Sequence, residues 1–139
     1  MRLVTFDAGS GPRAGVQTDS GILDAMDLLG ENGHGGVRRL IAGDRLSDLK
    51  VAVEAGNGEA VDASSVRILA PIPDPDKIIC IGLNYRAHAK ETGQETPRAP
   101  IIFGKYRNAL AADRDVVKLP AASTKFDYEA EVAFVIGKR

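Results

Sequence analysis

Two short stretches of the chain hold residue types that do chemistry. In the final segment, KFDYEAEVAFVIGKR, Glu129 and Glu131 stand two residues apart inside an alternating pattern. The strand this pattern predicts has one apolar face of Tyr128, Ala130, Val132, Phe134 and Ile136, and both acids share the other face with Ala133 and Val135. Like charges on one face repel, so the pair requires water or a positive partner between its members. In GLNYRAHAKETG, His88 and Glu91 are three apart, the spacing that sets both on one helix face, where a carboxylate orients an imidazole and raises its basicity. Taken singly, each pair has a structural reading as well. An exposed helix with an incidental ion pair has the same spacing, and an E-x-E strand needs further oxygen ligands before it binds a hard cation.

The elements that would position these groups can be read outward from them. GLNYRAHAKETG predicts a short helix launched from the strand KIICIG, with Gly82 making the turn, Asn84 as N-cap and Gly93 ending it. The linker QETPRAP leads to a second apolar run, IIFGK, and both runs read as buried strands. Upstream, Pro71, Pro73 and Pro75 force an extended connection, which places a boundary between a small domain of residues 1–70 and a second of 71–139. In the first domain, RLVTFD and AGVQTD predict a β-hairpin. Its loop holds Gly9 and Gly11, with Gly15 just beyond, but no helix follows, so the loop reads as a turn and not as a phosphate cradle. GILDAMDLLG reads as a short strand or helical turn, VRRLIAG as a single helical turn, and RLSDLKVAVEAG as a helix with Leu46, Leu49 and Val53 inward and Gly56 at its end. His34 lies in a Gly-rich stretch without partners at ligand spacing and reads as a solvated loop residue.

Composition narrows the function classes. The chain has 139 residues, 44% apolar and 27% charged, which suits a globular domain able to bury a core. A net charge of -1, with no basic block interleaved with aromatics, argues against nucleic acid as a partner and against anionic membrane surfaces. No apolar run nears the roughly 20 residues a bilayer span needs, and MRLVTFDAG lacks a charged-then-apolar leader, so a cytoplasmic location is expected. The single cysteine, Cys80, sits in the apolar run KIICIG and reads as a small buried hydrophobe. The 15 glycines imply many turns, as a β-rich fold requires.

Taken together, KIICIGLNYRAHAKETG, IIFGKYRNAL, the LP at 119–120 and DYEAEVAFVIGK resemble the fumarylacetoacetate hydrolase family in order and spacing over residues 77–138. The first seventy residues resemble the less specific domain that precedes this core in bacterial members. The resemblance implies a β-rich α+β fold, a small N-terminal domain followed by the first, incomplete part of a mixed β-sandwich roll. It implies a divalent-metal enzyme acting on a small 2-oxo, acylpyruvate-like acid by hydrolysis, decarboxylation or isomerisation. Glu129 and Glu131 become metal ligands for Mg2+, with Mn2+ or Ca2+ in its place, and the dication removes their repulsion. By the same likeness His88, held by Glu91, handles the proton. Lys105 contacts a substrate carboxylate or oxyanion or makes a structural salt bridge, and Tyr106 and Asn108 line the pocket. Fumarylacetoacetate hydrolase itself has an Asp ligand seven residues before the matching histidine; here that position is Ile81. The chain therefore resembles the three-carboxylate members, the acylpyruvate hydrolases, oxaloacetate decarboxylases and homoprotocatechuate-pathway isomerases. Their third carboxylate is an Asp beyond the E-x-E strand, and this chain ends at Arg139 before it, so a truncated roll is expected. A ureidoglycolate lyase-type activity is the alternative within enzymes; a non-catalytic fragment that assembles through an open sheet edge is the alternative outside them. Homodimerisation follows from the likeness as well.

Overall fold

The computed structural model describes residues 1–137. The chain divides into two compact units: Met1–Pro73 together with the segment from Ala111 onward, and Asp74–Leu110.

In the first unit, β1 (Arg2–Asp7), β2 (Pro12–Thr18) and β3 (Gly21–Asp24) form an antiparallel meander. Two short strands, β4 (Ala60–Val61) and β5 (Arg67–Ile68), complete a sheet in the order β4-β3-β2-β1-β5. The predicted hairpin is formed, with Leu3 opposite Val16 and Thr5 opposite Ala14. Its loop is organised by Asp7, whose Oδ1 accepts from the Gly9 and Gly11 N–H groups at 2.7 and 2.9 Å.

Three helices cover one face of this sheet: α1 (Ala25–Leu28), α2 (Gly36–Ala42) and α3 (Leu46–Glu54). The ambiguous GILDAMDLLG resolves into both alternatives, β3 running directly into α1, because Asp24 ends the strand and caps the helix. Its carboxylate accepts from the Met26 and Asp27 N–H groups and also receives Arg13 Nε. Helix α2 runs for seven residues, longer than a single turn. Helix α3 matches its 3.6-residue pattern: Leu49 is buried, and Leu46 and Val53 pack against the cluster of Ala14, Val16, Ala25, Met26, Leu40 and Leu49.

One polar side chain ties this unit together. Thr5 is fully buried, and its hydroxyl donates to the Pro71 carbonyl at 2.7 Å and accepts from the Val37 N–H at 2.9 Å. It thereby joins β1, the start of α2 and the proline-rich connection. Gly36 makes the approach possible: its φ is 59°, and a Cβ there would meet Thr5 at 2.6 Å.

The second unit is an antiparallel ribbon of β6 (Ile78–Gly82) and β7 (Ile101–Lys105), with α4 (Arg86–Glu91) between them in sequence. The expectation that both strands are buried is corrected. Every residue of β7 is exposed, and β6 alternates between half-buried and exposed, with Cys80 half-buried. A two-stranded ribbon has two faces and two edges, and no third strand of the described residues pairs with it.

A second correction concerns the final segment. Residues 124–137 form no strand, although the pattern of Tyr128 to Ile136 alternates as a strand should. Alternation supplies faces but not hydrogen bonds; an extended segment becomes a strand only when a neighbour pairs with its backbone, and none of the described residues does so. The last residue of the family-like motif, Lys138, lies outside the described residues.

Candidate functional site

Helix α4 carries the predicted proton-handling pair. The chain leaves β6 at Gly82 and turns at Leu83, whose φ of 50° places a branched apolar residue in the left-handed region. That turn delays the helix by one residue. Tyr85 is the N-cap, without a side-chain capping bond, so the expectation that Asn84 caps the helix is corrected. At the other end Gly93, with φ 68°, closes a Schellman motif: its N–H donates to the Lys90 carbonyl at 3.2 Å, and the Gln94 N–H to the Ala89 carbonyl at 2.8 Å. The sequence reading of Gly93 as the stop is matched. Ala89 is the buried residue of the helix, His88 beside it is half-buried, and Glu91 is exposed. Thr92 donates both its N–H and its hydroxyl to the His88 carbonyl, at 3.0 and 2.9 Å, which fixes the backbone carrying the imidazole.

Lys105 is the last residue of β7, paired across the ribbon with Ile78. Tyr106 follows it and is exposed, and Asn108 sits in a short 3-10 turn, Arg107–Ala109. His88, Glu91, Lys105, Tyr106 and Asn108 thus all belong to the unit Asp74–Leu110, whereas Glu129 and Glu131 belong to the other. Both glutamates are exposed and lie in the segment without regular structure. As donors they suit a hard dication: carboxylate oxygens two residues apart fit Mg2+ or Mn2+. Among the described residues no group of three or more potential ligand side chains comes together. Among the described residues the two glutamates would therefore supply two ligand positions.

The unit Asp74–Leu110 also holds features that residue spacing did not single out. A cleft of about 230 Å³ opens between the β6–α4 turn and the loop Thr96–Pro100. Six cations, Lys77, Arg86, Lys90, Arg98, Lys105 and Arg107, stand against four acids, Asp74, Asp76, Glu91 and Glu95, so this part of an overall acidic chain is net positive. The local charge excess was legible in sequence had it been counted by segment. The left-handed Leu83 was not, because leucine gives no sign of it.

Residues 77–139 match the profile of the fumarylacetoacetate (FAA) hydrolase C-terminal domain. Over its whole length the chain is 35% identical to the mitochondrial oxaloacetate tautomerases of Xenopus laevis and Homo sapiens, covering 45% and 46% of those proteins. Among solved structures, an HpcE protein from Mycobacterium smegmatis superposes with a TM-score of 0.69 at 26% identity, over 87% of this chain and 41% of that one. Maleylpyruvate hydrolase from Sphingobium sp. SYK-6, in complex with manganese(II) and pyruvate, superposes with a TM-score of 0.56 at 30% identity, over 78% of this chain and 38% of that one. Residues 77–139 thus match the fumarylacetoacetate hydrolase family, and the α+β fold of the chain matches part of the fold of the HpcE protein. The chain spans about half the length of the curated relatives it matches, and those named for an activity are enzymes. No helix among the described residues is long and apolar enough to cross a membrane.

Proposed function

We propose that the protein to which this chain belongs is a divalent-metal-dependent enzyme of small 2-oxo acids. Among the three reactions the resemblance implied, we favour keto–enol isomerisation, with hydrolysis of an acylpyruvate as the second reading. The observation that carries the proposal is the coincidence, within the stretch matching the family profile, of a half-buried histidine three residues before an exposed glutamate and of the pair Glu129 and Glu131. The names of the whole-chain relatives support isomerisation, and the maleylpyruvate hydrolase complex with manganese and pyruvate supports hydrolysis.

In this reading Glu129 and Glu131 hold the metal, Mg2+ by preference, with Mn2+ or Ca2+ able to take its place. A dication bound there supplies a Lewis acid for the carboxylate and 2-oxo oxygens of the substrate. In the keto-to-enol direction His88 takes the proton from the carbon beside the oxo group and delivers it to the oxo oxygen, and ketonisation runs the same two transfers in reverse. Glu91 orients the imidazole. Lys105 meets a substrate carboxylate as a compact point charge, and Tyr106 and Asn108 contribute polar contacts. The partner is a small anion, neither nucleic acid nor membrane, and we extend the reading to a homodimer. The reducing compartment that suits the free Cys80 we take to be the cytoplasm, although the vertebrate relatives are named as mitochondrial.

The test is the rate of oxaloacetate ketonisation and of acylpyruvate cleavage by the full-length protein, with and without added Mg2+ or Mn2+. Metal-dependent turnover of either compound supports the proposal; metal-independent rates, or none, overturn it.

A further inference from the structure

Helix α4 is capped by a side chain at its C-terminal end and not at its N-terminal end. It is six residues long, and an isolated helix below about 12 residues is marginal in water, so the groups at its ends decide whether it keeps its shape. At the start Tyr85 makes no side-chain capping bond, in contrast to α1, where the Asp24 carboxylate accepts from two N–H groups. At the finish three successive N–H groups donate back into the last turn: Thr92 to the His88 carbonyl, Gly93 to that of Lys90 and Gln94 to that of Ala89. To these Thr92 adds its hydroxyl, 2.9 Å from the His88 carbonyl and 3.2 Å from that of Ala89. One proton serves both acceptors, with His88 as the principal one and Ala89 as the second branch of a three-centre bond. Thr92 is exposed, so it fills no core space, and the polar bond is what it contributes to the helix.

The turn that this bond closes runs from His88 to Thr92 and contains Glu91, the last helical residue. A spacing of three places two side chains on one face only while the residues between them stay helical. Were the turn to fray, Glu91 would leave the helix first and part from the face of His88. We infer that Thr92 is a positioning residue for the His88–Glu91 pair, its hydroxyl closing the turn that keeps the glutamate on the histidine's side. The inference rests on the function proposed above and adds to it a residue that neither holds substrate nor moves a proton, but acts through the two that do.

The experiment uses the full-length protein and two variants, Thr92→Val, which keeps the shape and removes the hydroxyl, and Thr92→Ser, which keeps the hydroxyl. Opening of the turn is read by amide hydrogen exchange at Thr92 and Gly93, and catalysis by the rate of oxaloacetate ketonisation with Mg2+. In Thr92→Val exchange at these amides should accelerate about threefold to tenfold, the range that one ordinary hydrogen bond spans. Its kcat should fall by a similar factor with KM within about twofold, because a misaligned pair slows the chemical step without weakening substrate binding. Thr92→Ser should stay within about twofold of the parent in all three quantities. Unchanged exchange in Thr92→Val, an unchanged kcat, a loss carried by KM alone, or an equal loss in Thr92→Ser overturns the inference. The two proposals fail separately. Faster exchange in Thr92→Val alone, in a protein without metal-dependent turnover, removes the enzymatic reading and leaves the hold of Thr92 on the pair; metal-dependent turnover with a kcat indifferent to Thr92→Val removes the positioning role alone.

Discussion

Glu129 and Glu131 raise the sharpest question at the level of single residues, because two carboxylates so close on the chain have no reason to stay together unless water or a cation separates them. Replacing either with glutamine keeps the shape and removes one negative ligand. Glu129→Gln in the full-length protein should abolish metal-dependent turnover and weaken Mn2+ binding in a calorimetric titration, with the thermal midpoint unchanged. Full activity and unchanged metal affinity would remove the glutamates as ligands. His88→Ala should separate the two roles: metal binding stays, while turnover falls by a factor of about 10² to 10⁴, the usual contribution of a positioned acid–base group. A fully active His88→Ala would place the proton transfer elsewhere.

Among the elements, the N-terminal sheet and its helices have the best-defined energetics. Thr5 satisfies the Val37 N–H and the Pro71 carbonyl in a fully buried position. Thr5→Val keeps the volume and leaves both groups without a partner, so it should cost about 2 to 4 kcal/mol in chemical denaturation. Thr5→Ser, which keeps the hydroxyl, should cost much less, and equal losses in the two variants would show that packing and not hydrogen bonding decides the site. Leu49 is the buried anchor of α3, and Leu49→Ala should destabilise the same unit by about 2 to 5 kcal/mol. The ribbon of β6 and β7 is different in kind. It has a ladder but no layer, so its strands stay exposed however apolar their sequence.

At the scale of the whole molecule two behaviours follow. Asp115 is held below its ordinary 3.8 by the Ala112 N–H it accepts and by Arg67, whose guanidinium lies 2.6 Å away. Asp7 is held below 3.8 by the Gly11 and Gly9 N–H groups. A carboxyl whose folded value is depressed contributes stability above its unfolded value, and that contribution is lost as pH falls through the folded one. The thermal midpoint should therefore decline as pH is lowered below about 3.8, and Asp115→Asn should flatten that decline; a midpoint indifferent to pH in this range would contradict the pairing. The second behaviour is association. Ile79, Ile102 and Phe103 of the ribbon and Tyr128, Phe134 and Ile136 of the final segment are all exposed. The 139-residue chain should accordingly self-associate with rising concentration in sedimentation velocity; a monomer at every concentration tested would mean these apolar groups are covered in solution.

Local chemistry made part of this protein legible from its residues alone. The hairpin, the face and length of α3, and the stop at Gly93 follow from alternation, a 3.6-residue period and a glycine with positive φ, each of which acts within a few neighbouring positions. The kinship was legible for a similar reason, since the order of short motifs over residues 77–138 survives without any knowledge of packing. Tertiary structure decided the rest. Whether IIFGK is buried, and whether the alternating Tyr128–Ile136 becomes a strand, depends on a partner that alternation cannot supply. The left-handed backbone of Leu83 is likewise outside what the sequence announces, since a leucine side chain gives no sign of it. Faces are a property of sequence; what covers them is a property of the assembled fold.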